Sequence, residues 1–163
     1  MHPLSYEVMG KVIANGPKTA RCLDVGSRNV NGCYRPLVEA RGWQYTGLDI
    51  AAGKNVDVVT PDPYCFPLDS DAYDMVISGS TMEHVQAIWL WIPELARVLK
   101  PGGMLAIYTH IAWEIHQHPV DCWRILPDGM TYLFDLTGCL ERYTIRTHGG
   151  TDICGVAYKM GGR

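Results

Sequence analysis

The sequence has no cluster of lysine and arginine, and its formal net charge is only −3. A nucleic-acid partner needs a basic face for its phosphates, so no such partner is expected. No apolar run is long enough to span a bilayer, and no basic-then-apolar leader opens the chain. The expectation is a cytoplasmic protein with no membrane partner. The six cysteines, Cys22, Cys33, Cys65, Cys122, Cys139 and Cys154, include no C-x-x-C pair. A zinc knuckle and a thioredoxin-type centre are therefore not indicated, and reduced thiols, several of them buried, are expected. Linkers, repeats and low-complexity tracts are also missing. Residues 1–163 are expected to form one domain, with an N-terminal helix within 1–16 packing on its core.

What is present is a globular composition, 47% apolar and 19% charged, organised around Arg21-Cys-Leu-Asp-Val-Gly-Ser-Arg-Asn-Val-Asn-Gly32. The apolar run Cys22–Val25 is too short for a helix and breaks at Gly26 into a polar turn. A buried strand entering such a turn, followed by a helix, leaves free N–H groups beside the strand's carboxyl end, where open α/β sheets bind ligands. Gly26 lets the backbone come close to a ligand, and Asp24 is an acceptor expected to face the same crevice. A full G-x-G-x-x-G is absent, because Arg28 stands where a second glycine would be.

Apolar spacing predicts a helix over 4–14, stopped by Asn15-Gly16-Pro17. Strands are expected over 21–25, 43–49, 55–60, 73–78 and 104–109. Between them a short helix over 33–41 keeps Pro36 in its first turn. A clear helix covers 88–100. Pro93 is expected to restrict its regular part to about 90 onward, and Pro101-Gly-Gly103 to end it. Trp89 and Trp91 are expected to pack on neighbours. After a polar loop over 110–126, a helix near 127–137 turns Met130, Leu133 and Phe134 inward. Two strands flanking His148-Gly-Gly150 must then form an antiparallel hairpin. The fold class is α/β: a doubly wound, mostly parallel seven-stranded sheet with an antiparallel C-terminal hairpin. One βαβ unit separates Asp24 from Asp49. An acid ending the second strand suits the ribose hydroxyls of a nucleoside ligand.

The pattern resembles the class I S-adenosylmethionine-dependent methyltransferases, and more closely the small bacterial methyltransferase-domain proteins. The likeness runs from about residue 20 to the end. It rests on Leu23-Asp-Val-Gly26, Tyr45-Thr-Gly-Leu-Asp49, Asp74-Met-Val-Ile-Ser78 with Glu83-His84-Val85, and Arg97-Val-Leu-Lys-Pro-Gly-Gly103. It implies a Rossmann-like fold, S-adenosylmethionine as cofactor and S-adenosylhomocysteine as product. Asp24, Gly26, Ser27 and Arg28 would lie against the methionine part, Asp49 on the ribose, and Ile50 along the adenine. Asp62 would meet the adenine amino group, and Ser78 and Gly79 the sulfonium end. Two departures stand out. Arg28 replaces a glycine, and Pro63 replaces a residue whose N–H often bonds the adenine ring, which proline cannot do.

Methyl transfer from a sulfonium needs in-line positioning and, for a hydroxyl or amine acceptor, a group to take the proton. The loop after the fifth strand offers His110, His116, His118 and Asp121 as catalytic candidates. Asp121 and Arg124 could instead staple the loop as an ion pair, and His84 reads as a packed histidine. His116-x-His118 with Cys122 lacks a fourth ligand, so no metal is expected. The near-minimal length points to a small-molecule or sugar-type acceptor, attacked at O or N, or to a homodimer that completes the site. A nicotinamide-nucleotide enzyme and a non-catalytic scaffold subunit are the rival readings.

Overall fold

The structure is a computed structural model and describes residues 3–161. Its elements are α1 (Pro3–Ala14), β1 (Arg21–Val25), α2 (Arg35–Glu39), β2 (Gln44–Asp49), β3 (Val58–Val59), β4 (Tyr73–Gly79), α3 (Ile88–Val98), β5 (Leu99–His110), α4 (Pro127–Leu136), β6 (Leu140–His148) and β7 (Asp152–Lys159). A 3-10 turn, Met82–His84, follows β4.

The seven strands form one sheet in the order β3-β2-β1-β4-β5-β7-β6. β1 pairs in parallel with β2 on one side and β4 on the other. The chain therefore leaves β1 in one direction, returns, and continues in the other. That reversal opens a crevice at the carboxyl ends of β1 and β4. β7 runs antiparallel to both β5 and β6, so the expected hairpin is present, and Gly149 and Gly150 turn it with φ of 59° and 76°.

Strand alternation sorts the core into two layers. Leu23, Val25, Val76, Leu105 and Ile107 face α3 and α4, packing with Trp91, Ile92, Leu95, Met130 and Phe134. Cys22, Met75, Ile77, Met104, Ala106 and Tyr108 face the other way, onto Val8, Met9 and Ile13 of α1 and Val38 of α2. Helices on both faces make the sheet doubly wound. Asp24 shares the parity of Cys22, so its carboxylate enters the layer on the α1 and α2 side.

Three expectations about elements need correction. β3 is two residues long rather than six. It is an edge strand that pairs only through Leu48↔Val58 and Asp49↔Val59, and loop bonds hold the rest of its segment. α3 begins at Ile88 and keeps Pro93 in its interior. Losing one helical hydrogen bond there costs about 3 kcal/mol. Burying Trp91, Ile92, Leu95 and Val98 returns roughly 1.5–3 kcal/mol for each large side chain. Finally, the helix stops at Val98, and Pro101-Gly-Gly103 belongs to β5 rather than ending a helix. Leu99 is already extended, at φ −71° and ψ 140°. The pairing jumps from Tyr73↔Leu99 to Met75↔Met104, so the Pro-Gly-Gly segment is a bulge in the strand.

All six cysteines are free; Cys22 and Cys154 are buried. Trp91 is buried, whereas Trp89 is half exposed and meets Trp123 edge-on at 6.1 Å.

Candidate active site at the switch point

Gly26 turns the chain out of β1 with φ 81°. A Cβ there would stand 2.0 Å from Thr81 Oγ1, so the close approach that this glycine permits is to Thr81, in the segment leaving β4. Gly26 and Ser27 both donate their N–H to Leu48 O, which ties the turn to β2. The next N–H, of Arg28, donates to Asp49 Oδ2 at 2.9 Å. The acid ending β2 thus stands against the turn that ends β1. The Arg28 side chain runs back over Gly53. Ser27 is buried and packs against Gly47, with its hydroxyl 3.3 Å from Asn55 O.

Asp24 is 2% exposed and makes no ion pair among the described residues. Its Oδ2 accepts the Tyr45 hydroxyl at 2.6 Å. Asn55 donates to that same phenol oxygen and to Ser27 O, both at 2.8 Å. Arg35 donates to Asn55 Oδ1 and pairs with Asp57 at 2.6 Å. Burial lifts the Asp24 carboxyl to about 7. The Tyr45 hydrogen bond works against that rise and the nearby charge of Asp49 adds to it. The two acids singled out in the sequence are therefore close enough to influence each other.

On the β4 side, Ser78 is buried and donates to Val25 O at 2.7 Å, joining the two strands at the switch. Gly79 lies under the Tyr34 hydroxyl, where a Cβ would come within 2.1 Å. Ile50 is 53% exposed just beyond Asp49. Asp62 is exposed; its Oδ1 accepts the Tyr64 N–H, and its carbonyl accepts the Thr60 hydroxyl.

A second group of polar residues collects at the carboxyl ends of β4 and β5. His110, the last residue of β5, is buried between two acids. Its Nδ1 is 2.6 Å from Asp152 Oδ1 and its Nε2 3.3 Å from Glu83 Oε1. Burial alone would favour the neutral ring. Glu83 and Asp152 outweigh it and hold His110 above its usual range. Glu83 is fully buried and also accepts the Thr109 hydroxyl. Burial pushes its carboxyl up, but the adjacent His110 ring, its own backbone N–H and the Thr109 hydroxyl bring it below the usual carboxylate range.

His116 and His118 come to the same place from the loop, and His84 joins them. Ring centroids are 5.0 Å apart for His84 and His116, 6.0 Å for His84 and His118, and 5.8 Å for His110 and His116. Asp121 is set back. Arg124 grips it at 2.6 and 2.8 Å, and it accepts the His116 N–H at 2.7 Å. The hydrogen bonds from Arg124 hold its carboxyl well below the usual range. Asp121 is thus the staple of this loop. Cys122 is exposed, and its N–H goes to Glu83 O.

Sequence reasoning missed Asp152, Tyr34, Tyr45 and Asn55, and it treated Glu83 only as part of a family motif. Asp152 gives no signal of its own. It reaches His110 only because β7 pairs with β5 in the register His110↔Asp152.

A methyltransferase-domain model matches residues 23–107, just over half the chain. Among curated proteins, a demethylmenaquinone methyltransferase from Roseiflexus castenholzii is 28% identical over 109 residues, 58% of this chain and 44% of that protein. The match thus spans less than half the length of that relative. Among solved structures, the YcgJ protein from Bacillus subtilis superposes with TM-score 0.73 at 14% identity, covering 99% of this chain and 100% of that one. A phosphoethanolamine N-methyltransferase from Haemonchus contortus, solved with S-adenosyl-L-methionine, gives TM-score 0.72 at 12% identity, covering 95% and 53%. The chain belongs to the methyltransferase-domain family, on the fold of the S-adenosylmethionine-dependent methyltransferases.

Proposed function

We propose that this protein transfers the methyl group of S-adenosylmethionine to an oxygen or nitrogen of a small-molecule or sugar-type acceptor. The observation that carries the reading is the pairing of Asp24 and Asp49 around the Gly26 turn at the switch between β1 and β4. A buried carboxylate without an ion pair suits the ammonium of an amino-acid moiety. The acid at the end of β2 suits a ribose diol, and exposed Ile50 suits an adenine face. Gly26, Ser27, Arg28 and Asp62 complete the expected cofactor contacts, with Ser78 and Gly79 toward the methyl. The cofactor, when bound, supplies an activated methyl on its sulfonium.

The chain's own contribution is placement and proton handling. The His118 ring makes edge contacts with His84 and His116 and no hydrogen bond among the described residues, so both its nitrogens can meet an acceptor. We assign the proton-accepting role to His118. His110 is held between two carboxylates and serves as a positioning residue, as does Asp121, which fixes the backbone of His116. Arg124, which grips Asp121, also lines a shallow, open depression with Ile125, Leu126, Pro127, Asp128 and Gly129.

A second reading, methylation of a carbon on a lipophilic ring, is favoured by the names of the relatives and by exposed Trp113 and Ile115 on the histidine loop. Calorimetry tests the primary reading: S-adenosylhomocysteine binds and NADH does not. Asp49→Ala weakens that binding at least tenfold, by roughly 1.5–3 kcal/mol of charge-assisted hydrogen bonding. Unchanged affinity removes Asp49 from the site. Methylated product analysed for the bonded atom separates O or N transfer from transfer to carbon.

A further inference from the structure

The histidine cluster holds more than an acid–base pair. One ligating atom each from Glu83, His84 and His116 lies within 4.8 Å of the other two. We propose that these three residues bind a single divalent first-row transition-metal ion, of which zinc is the type. This inference is independent of what the protein methylates.

Three observations carry it. The first is the state of Glu83. Its side chain is fully buried, and among the described residues no donor meets Oε1 in hydrogen-bonding geometry. The His110 Nε2 is 3.3 Å away and pairs with that oxygen as a charge without hydrogen-bond alignment, and the His84 Nε2 is 3.9 Å away. A buried carboxylate oxygen with no aligned donor keeps lone pairs that a cation can take up.

The second is the orientation of the two imidazoles. His84 Nδ1 meets Val120 O at 2.6 Å, and His116 Nδ1 meets Glu114 O at 3.0 Å. A carbonyl can only accept, so each ring carries its proton on Nδ1 and offers the Nε2 lone pair. Histidines that ligate metals are held by this arrangement, the far nitrogen donating to a carbonyl or carboxylate. His84 and His116 reach it from different segments, and Nε2 of His84 points to the orphaned oxygen of Glu83.

The third is the donor set. Two imidazole nitrogens and one carboxylate oxygen match zinc and its first-row neighbours, not calcium or magnesium, which take oxygen. Ligand atoms around a zinc ion at ~2.0–2.2 Å stand roughly 3.3 Å apart, so the cluster closes by about 1.5 Å at most. His116 sits on the irregular loop before α4, where a movement of that size breaks no strand or helix. Three protein ligands leave a coordination position for water or an acceptor oxygen.

The test uses the full chain, stripped with a chelator and dialysed. Titration with zinc ion alone is expected to show one ion per chain. His84→Ala and His116→Ala are each expected to weaken it at least 100-fold, while Cys122→Ser leaves it unchanged. Nitrogen-15 spectra of the wild-type imidazoles provide a readout that needs no variant: Nε2 of two histidines shifts on adding zinc. Absence of stoichiometric binding overturns the proposal. So does binding that survives both histidine substitutions, is lost with Cys122→Ser, or leaves the imidazole nitrogens unshifted.

Discussion

Replacing Asp24 by asparagine tests whether the crevice is electrostatically incomplete without its ligand. Asp24 is buried, has no ion pair among the described residues, and carries a carboxyl raised from 3.8 to about 7 by burial. From about pH 4 to pH 7 the folded chain therefore keeps a proton that the unfolded chain has released. Stability then falls as pH rises through that window, because the folded state binds more protons. Below pH 4 both states are protonated and the penalty vanishes. Above pH 7 it is complete. A rise of about three units corresponds to about 4 kcal/mol at the usual conversion of 1.36 kcal/mol per unit. Asparagine has the same shape, still accepts the Tyr45 hydroxyl through its Oδ1, and carries no charge. Asp24→Asn is therefore expected to match the wild type near pH 4 and to exceed it by about 2–4 kcal/mol at pH 8. Urea unfolding at the two pH values measures the difference. With a denaturant slope of about 2 kcal/mol/M, the midpoint shifts by about 1–2 M at pH 8. A gap between the two proteins that does not change from pH 4.5 to 8 refutes the account of Asp24.

Three further outcomes follow from the same geometry. Gly79→Ala drives a Cβ to 2.1 Å from the buried Tyr34 hydroxyl, and thermal unfolding should register a loss of about 1–3 kcal/mol from overpacking. Glu94 accepts the Phe66 N–H at 2.6 Å and two bonds from Arg97 at 2.7 Å. Glu94→Ala strands the Phe66 N–H while Arg97 keeps its bonds to Ser70 Oγ and Phe66 O, and should cost about 1–3 kcal/mol in urea unfolding, whereas a loss below ~0.5 kcal/mol would mean that water replaces the carboxylate. His118→Ala should lower kcat on the accepted substrate by about 10²-fold or more with S-adenosylhomocysteine affinity unchanged. Full activity in that variant removes His118 from proton transfer.

The order of strands and helices was legible because each element carries its own pattern. Short continuous apolar runs, buried on both faces, mark β1, β4 and β5, the helical stripe marks α3, and the paired glycines mark the β6–β7 turn. The boundaries that failed are places where partners override local preference. Pro101-Gly-Gly103 reads as a helix stop, yet pairing with β4 draws it into a bulged strand. Pro93 reads as a helix start, yet buried neighbours carry the helix through it. Asp24, Gly26 and Asp49 were found in the sequence because a strand end and its turn lie within a few residues of each other. Tyr45, Asn55 and Tyr34 were not, because what they contact is set by strands packing side by side.

The sequence by itself determined the fold class, the turn that ends β1, and the two acids that close β1 and β2, since hydrophobic patterning and turn chemistry act over short stretches of chain. Only the tertiary structure decided which histidines share a site, and with which acids. His84 leaves β4, His110 ends β5, His116 rides the loop beyond, and Asp152 opens β7. They meet because parallel strands release their carboxyl ends on one edge of the sheet and β7 folds back beside β5, and sequence spacing carries no record of that convergence.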